Sequence, residues 1–447
     1  MTENAVPNKA DLFPTDPIDR LMGPIQRFLR VETTSGVVLI VATLAALLWA
    51  NLAAGTYSSF WNTSLDLSFG PWSLSGSLDH QPTLLWLVND LLMTIFFFSV
   101  GLEVKGEIVH GELHDIKAAS LPIIAAAGGM LFPAIIYSIL TPAGASHGWG
   151  IPMATDIAFV VGCMVMLGKR IPHGLRVMIL TLAIADDIGS IIVVALGYSG
   201  AINWGALAIA FLLLALTWLS FRIGIRNSIV HGILAVLIWY AFVQSGVHAA
   251  LAGVALGLLT PVTPWVAKSK FDNFMVSTAN FLEGGAKIDK DQRIKLYRTL
   301  QKSSKESLSL ETRLNDKLHP WVSYVIMPLF ALANAGVLLH FDSFNGVTLS
   351  VAFGLIIGKP LGIFISSFLA IKIGISKIPT GVTWRALLGG GMLAGIGFTM
   401  SLFVAGLAFA DPVHAHFLSA AKIGILSGSI LSAVIGSAYV RFFANSK

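Results

Sequence analysis

The sequence is dominated by uninterrupted apolar runs separated by short polar connections. An α-helix rises about 1.5 Å per residue, so about 20 apolar residues span the roughly 30 Å hydrocarbon core of a bilayer. Because these runs are continuous and do not alternate between apolar and polar residues, they exclude a membrane β-barrel. The pattern predicts an all-α polytopic protein, embedded in membrane lipid, with about twelve transmembrane helices. The predicted spans are 35–54, 83–103, 117–140, 149–168, 175–197, 203–221, 228–244, 246–260, 319–340, 347–372, 383–409 and 415–440.

Composition supports this class. The 447 residues are 55% hydrophobic and only 12% charged, whereas soluble domains carry about 25% charged residues. The single cysteine, Cys163, excludes an intrachain disulfide and a multi-cysteine metal site. The net charge of +5 requires no nucleic-acid partner, because the basic residues have a topological explanation.

The Lys and Arg residues set the predicted orientation. All of the 29 except Lys359 and Lys422 fall in the two tails or in alternate connections, which places them on one face of the membrane. By the positive-inside rule, that face and both chain termini are cytoplasmic.

The same topology divides the chain into four parts. Residues 1–31 are polar without an early apolar stretch, so we expect a cytoplasmic tail and no cleavable signal peptide. Residues 32–260 contain the first eight helices, 261–318 form a mostly solvated cytoplasmic loop with one amphipathic helix at Asp289–Ser303, and 319–447 contain the last four helices and a short tail.

One external connection, 55–82, is long. Within it, Leu65–Phe69 and Trp72–Leu78 roughly alternate around Gly70-Pro71, which predicts a β-hairpin. The exposed edges of such a hairpin can pair with a second copy of the chain.

Two adjacent acids lie halfway along the fifth span, in the stretch TLAIADDIGS. Each of Asp186 and Asp187 would cost roughly 2.5–3.5 kcal/mol or more if it faced lipid. Ionisable residues at this depth usually serve function, so a polar cavity is the better interpretation than a purely structural role.

The fourth and eleventh spans contain helix-breaking residues at mid-membrane. Pro152 and the Thr155-Asp156 pair interrupt the fourth span, and Gly395, Gly397 and Thr399 interrupt the eleventh. Unwound backbone at this depth is tolerated only where it lines a cavity or is buried in protein. An offset of 244 aligns Thr155 with Thr399, and the two spans run in opposite directions. This predicts an inverted repeat with two broken helices meeting at the midplane, as in secondary transporters.

Lys359 lies about halfway along the tenth span. A buried ammonium needs an acidic partner to keep its charge, and we predict that this partner is Asp186. Lys422 is nearer a span end, where a lysine can extend to the interface.

Asp156, Asp186, Asp187 and Lys359 therefore form a candidate midplane site. Carboxylate oxygens bind hard cations, and a poorly solvated carboxylate can also hold a proton near neutral pH. Competition between a cation and protons at one alternating-access site gives antiport. The alternatives are a sodium-coupled symporter of an organic anion, for which the spans lack an arginine at their centre, and a channel. No His/Cys metal set, nucleophile–base pair or phosphate loop is present, so we predict neither an enzyme nor a cofactor.

Several long segments resemble the NhaA family of bacterial sodium/proton antiporters, from about residue 20 to 440. They are NDLLMTIFFFSVGLEVKGE, ATDIAFVVG, LAIADDIGSI, SGVHAALAGV, HPWVSYVIMPLFALANAGV, GKPLGIF and GIGFTMSLF. The family is itself an established example of inverted repeats, so that architecture is not an independent prediction. The resemblance implies electrogenic, pH-activated exchange of internal Na⁺ or Li⁺ for external H⁺ in the bacterial inner membrane.

The resemblance also implies residue roles. The family's cation-binding aspartate matches Asp187, its lysine-paired aspartate matches Asp186, and its lysine matches Lys359. Its unwound-helix aspartate matches Asp156, with Thr155 beside it.

Other matches concern regulation and assembly. Positions tied to the pH response match Glu103, Glu107, His248 and His319. Where the family usually has an acid just before the ninth span, this chain has Asn315 followed by Asp316, and the loop before it is longer than usual. Both departures concern the pH set-point and not the transport chemistry. The family's dimer hairpin matches 55–82, which implies a homodimer.

Overall fold

A computed structural model describes residues 32–65, 68–69, 72–73, 81–200, 202–225, 227–283, 289–338, 345–411 and 413–443. These residues form a helical bundle with one short two-stranded sheet. The predicted tail at 1–31 lies outside the described residues.

The helices largely follow the apolar runs. They are α1 Glu32–Leu52, α2 Ala54–Trp61, α3 Leu84–Val109, α4 Ile116–Leu140, α5 Ser146–Met153 (a 3₁₀-helix), α6 Ile157–Leu167, α7 His173–Gly197, α8 Trp204–Ile223, α9 Ser228–Ser245, α10 Ala250–Leu259, α11 Lys268–Glu283, α12 Lys290–Ser307, α13 (Leu310–Trp321, Val322–Ile326 and Met327–Asn334), α14 Gly346–Lys372, α15 Trp384–Ala394, α16 Phe398–Ala408 and α17 His416–Phe443.

The polarity of the bundle is that of a protein in lipid. Large apolar side chains are exposed on its outer helices, for example Leu48, Leu212 and Val236. Ionisable side chains, including those of Asp156 and Lys359, are buried inside. Apolar groups outside and charges inside fit a chain whose solvent is hydrocarbon.

The described residues contain nine helices long and apolar enough to cross a membrane, or ten if the bent pair α15 and α16 forms one span. Twelve spans are therefore not confirmed. The predicted eighth span is α10, whose ten residues extend only about 15 Å. The predicted ninth span lies in α13, which begins with the polar segment Leu310–Trp321 and continues through the π-helical Val322–Ile326.

Close helix packing positions the bundle core. A Cβ on Gly257 of α10 would lie 2.7 Å from the Gly101 Cα of α3, so these two backbones touch directly. Small residues allow such contact where lipid offers no hydrophobic driving force. In α14, a π-helical segment at Gly354–Gly358 ends immediately before Lys359. Such π-helical turns are frequent at functional positions.

The external connection contains strands β1 Ser68–Phe69 and β2 Trp72–Ser73, which pair antiparallel with Phe69 opposite Trp72. Parts of the predicted strands, including residues 74–78, lie outside the described residues.

The segment 261–318 is more helical than the predicted solvated loop. Helix α12 covers the predicted amphipathic helix and begins at a capping box between Asp289 and Gln292. Helix α11 was not predicted.

Candidate cation site at the two helix breaks

Two helix breaks meet inside the bundle. Residues 154–156 separate α5 from α6, and residues 395–397 separate α15 from α16, which are bent by 48°. The Asp156 N–H donates to the Ile396 carbonyl at 2.7 Å, so the breaks contact each other directly. This contact matches the paired broken helices that the sequence predicts.

Asp156 joins the N-terminal ends of the two half-helices that follow the breaks. Its carboxylate accepts from the Phe159 N–H of α6 at 3.3 Å and from the Thr399 N–H of α16 at 3.0 Å. It also accepts the Thr399 hydroxyl. Because helix N-termini carry partial positive charge, one buried carboxylate offsets both.

Lys359 and Thr155 contact the C-terminal ends of the other two half-helices. The Lys359 ammonium donates to the Met153 carbonyl at the end of α5. The Thr155 hydroxyl lies 3.0 Å from the Ala394 carbonyl at the end of α15. A cation and a hydroxyl thus face two partially negative helix ends.

The predicted partner of Lys359 is confirmed. Its Nζ lies 2.6 Å from Asp186 Oδ2, and both side chains are fully buried. The Thr155 hydroxyl lies 2.7 Å from the same oxygen. Its single hydrogen is therefore divided between Asp186 and the Ala394 carbonyl.

Asp187 differs from its neighbour. Oδ1 of both aspartates is buried without a hydrogen-bond partner among the described protein atoms, but Asp186 also holds Lys359 and Thr155 through its Oδ2. Asp187 interacts electrostatically with Asp186, Glu103 and Asp156 as well as with Lys359. Asp186 is thus engaged by a cation and a hydroxyl, whereas Asp187 stays available to bind one.

Within the described part of the chain, no group of three or more His, Cys, Asp or Glu residues is arranged to hold a metal ion. Asp186 and Asp187, the predicted ligands of transported Na⁺, would therefore need neutral oxygens to complete the coordination of a hard cation.

The remaining predicted residues lie in different places. Gly395 and Gly397 form the second break, and Thr399 follows it.

The candidates for the pH response lie apart from the breaks. Glu103 and Glu107 lie near the end of α3, and His319 is exposed on α13. His248 Nε2 lies 3.9 Å from Asp90 Oδ1, and its ring packs edge-on against Phe403 of α16.

Sequence reasoning missed residues around these positions. The Glu311 carboxylate, one helical turn before Asn315 on α13, interacts electrostatically with Glu103. Ser429 on α17 accepts the Phe398 N–H at 3.1 Å, at the start of α16. The only signal for Ser429 was the recurrence of serines along an apolar helix.

Comparison with known proteins is consistent with this geometry. The sequence profile of the Na⁺/H⁺ antiporter 1 family matches residues 26–440. The chain is 45% identical to the Na⁺/H⁺ antiporter NhaA of Rhodopirellula baltica, over 95% of both proteins. It is 44% identical to NhaA 2 of Sorangium cellulosum, over 94% of this chain and 89% of that protein. It is 41% identical to NhaA 2 of Vibrio vulnificus, over 97% of this chain and 95% of that protein.

Proposed function

This chain belongs to the Na⁺/H⁺ antiporter 1 family and exchanges sodium for protons, and we propose that Asp186 and Asp187 carry both ions by alternating access. Cytoplasmic Na⁺ or Li⁺ leaves the cell as external protons enter. Because the relatives named above are antiporters, sodium-coupled symport of an organic anion is not favoured.

The observation that carries the proposal is the unequal state of the two aspartates. Both aspartates have a buried Oδ1 without a hydrogen-bond partner among the described protein atoms, but Oδ2 of Asp186 is held by Lys359 and Thr155. A cation entering beside Asp187 displaces any proton held there and competes with Lys359 for Asp186. Protons and sodium then exclude each other, which is the condition for exchange without leak.

The same groups support electrogenic exchange. Asp187 can release one proton, and the Lys359–Asp186 pair can release another when the cation takes the place of the ammonium. One entering positive charge then displaces more than one proton. The transported ions are substrates of the protein and not cofactors.

The meeting of the two breaks supports alternating access. The two broken helices contact each other through hydrogen bonds at Asp156 and Thr155 and through the edge-on rings of Phe159 and Phe398. Small rotations of one broken helix against the other would open the site to one face and close it to the other.

We assign the protein to the bacterial inner membrane, with both termini cytoplasmic, from its multi-pass helices and the distribution of Lys and Arg. Activation by pH would act through Glu103, Glu107, His248 and His319. A homodimer would form through the 55–82 hairpin, whose paired strands support the assignment.

Asp187→Asn tests the cation site. Everted vesicles containing the wild-type protein should lose a preset proton gradient when Na⁺ or Li⁺ is added, as followed by dequenching of a gradient-sensitive dye. The variant should show no response, because an amide neither carries the charge nor exchanges the proton. Asp291→Asn, on the exposed face of α12, is the matched control and should behave as wild type. Exchange at the wild-type rate in Asp187→Asn would refute the proposal.

A further inference from the structure

Ser190 is a buried hydroxyl on the helix that carries the two aspartates. Its side chain is 4% exposed, and its Oγ has no hydrogen-bond partner among the described protein atoms. Serines and threonines in membrane helices usually donate to the carbonyl one turn back, as Thr181 does within α7 and Ser199 does just past its end. Ser190 does not make this bond.

Helix geometry places Ser190 over the cation site. It follows Asp186 by four residues and Asp187 by three, and such neighbours have Cβ atoms about 5–6 Å apart. At about 100° per residue, Ser190 falls between the two aspartates around the helix axis. Oδ1 of each aspartate also has no hydrogen-bond partner among the described protein atoms. Three buried oxygens without such partners therefore lie within about one turn of α7.

Contacts farther along α7 show which neighbouring helix faces the stripe that carries Asp186 and Ser190. Val193 Cγ1 would lie 3.2 Å from a Cβ on Gly150, and the Trp149 ring would lie 3.3 Å from a Cβ on Gly197. Positions 193 and 197 continue the same helical stripe as Asp186 and Ser190. The stripe therefore faces α5, the half-helix that ends at the first break.

We propose that Ser190 is a ligand of the transported cation, supplying a neutral oxygen beside the carboxylates of Asp186 and Asp187. This inference rests on the proposed function of that site. A hydroxyl oxygen has two lone pairs and coordinates a hard cation without adding charge. A proton on a carboxylate oxygen can gain at most one hydrogen bond from the hydroxyl, whereas a hard cation gains a ligand in a shell of several oxygens. Ser190 thus favours sodium over protons in their competition for the site.

Ser190→Ala in the full-length protein, reconstituted in liposomes, tests this role. The KM for Na⁺ at alkaline pH should rise roughly tenfold, the usual scale for losing one polar contact to a charged group. The maximal rate should change little. The apparent pKa of the sodium-free site, taken from the pH dependence of the sodium KM, should stay close to the wild-type value. A general structural defect would not leave that apparent pKa unchanged while raising the sodium KM.

Two variants complete the test. Ser190→Thr keeps the hydroxyl and should restore the sodium KM. Ser367→Ala removes another fully buried hydroxyl without a hydrogen-bond partner, eight residues beyond Lys359 on α14, and should leave the sodium KM unchanged. An unchanged sodium KM in Ser190→Ala, or an equal rise in Ser367→Ala, would overturn the inference.

The experiment separates the two proposals. If Asp187→Asn abolishes exchange while Ser190→Ala behaves as wild type, the site stands and only the role of Ser190 is wrong. If Asp187→Asn still exchanges, the proposed site itself is wrong.

Discussion

The two broken helices are alike in backbone and unlike in chemistry. Each is interrupted for three residues, but Thr155 lies inside the first break, whereas Thr399 lies two residues after the second, so the sequence alignment of the two threonines does not hold in the structure. The first break carries Asp156 and receives the Lys359 ammonium at Met153. The second break contains only glycine and apolar residues, so no side chain of its own can make a polar contact.

This difference shows that the repeat supplies geometry while the charges are concentrated at one break. Asp156 offsets helix ends from both broken helices, so the second half of the repeat does not need an acid of its own. The charges around the first break should therefore matter more than any single group at the second, and substitutions can measure that difference.

The largest effect is expected from Lys359→Ala. Removing one member of a buried ion pair costs about 3–5 kcal/mol, because a carboxylate is left without its counter-charge. The variant also leaves the Met153 carbonyl without its ammonium partner. The melting temperature of the purified protein should fall, together with sodium-driven exchange.

Lys422→Ala is the control for removing a lysine from a membrane helix. Lys422 lies in α17 without an ion pair to any described residue, so its loss should change the melting temperature less. An unchanged melting temperature in Lys359→Ala would contradict the stabilising role of the Lys359–Asp186 pair.

An intermediate effect is expected from Thr155 and Thr399, the threonines at the two breaks. Thr155→Val removes the hydroxyl from Asp186, a hydrogen bond to a charged group worth about 1.5–3 kcal/mol. Thr399→Val removes a hydroxyl from Asp156, but the Thr399 N–H still donates to that carboxylate. The sodium KM should therefore rise more in Thr155→Val than in Thr399→Val, as measured by exchange in liposomes. Equal KM values would show that the two breaks are functionally equivalent.

The smallest effect is expected from Ser429→Ala. The variant leaves the Phe398 N–H, at the start of α16 next to the second break, without its acceptor. This loss should lower the free energy of unfolding by about 1–3 kcal/mol. Ser427→Ala, two residues earlier on α17, removes a hydroxyl that bonds only within its own helix and should have less effect. If the two variants melt at the same temperature, Ser429 does not stabilise the second break.

Much of the site could be predicted from sequence because its residues are expensive in lipid. An acid or lysine in an apolar run is conspicuous at any depth, so Asp156, Asp186, Asp187 and Lys359 could be identified without a structure. The partner of Lys359 could also be predicted, since few acids lie at the same depth. A serine costs little in such a helix, and so Ser190 and Ser429 gave almost no signal.

The span count was harder to predict for a related reason. Hydropathy measures whether a segment tolerates lipid, and α10 is apolar enough to do so. It does not measure where a helix starts and stops, which depends on local backbone conformation and on the helices packed around it. Both α10 and the divided α13 differ from their predicted spans in this respect.

The sequence by itself determined that the chain is a bundle of membrane helices, which of its segments break and which ionisable groups lie inside. Those properties follow from the transfer of each residue between water and lipid, which is local. Only the tertiary structure decided that Asp156 serves both broken helices, that Lys359 also holds the end of α5, and which oxygens near Asp187 lack protein partners. Such pairings join residues up to 243 positions apart, and they depend on how separate helices pack.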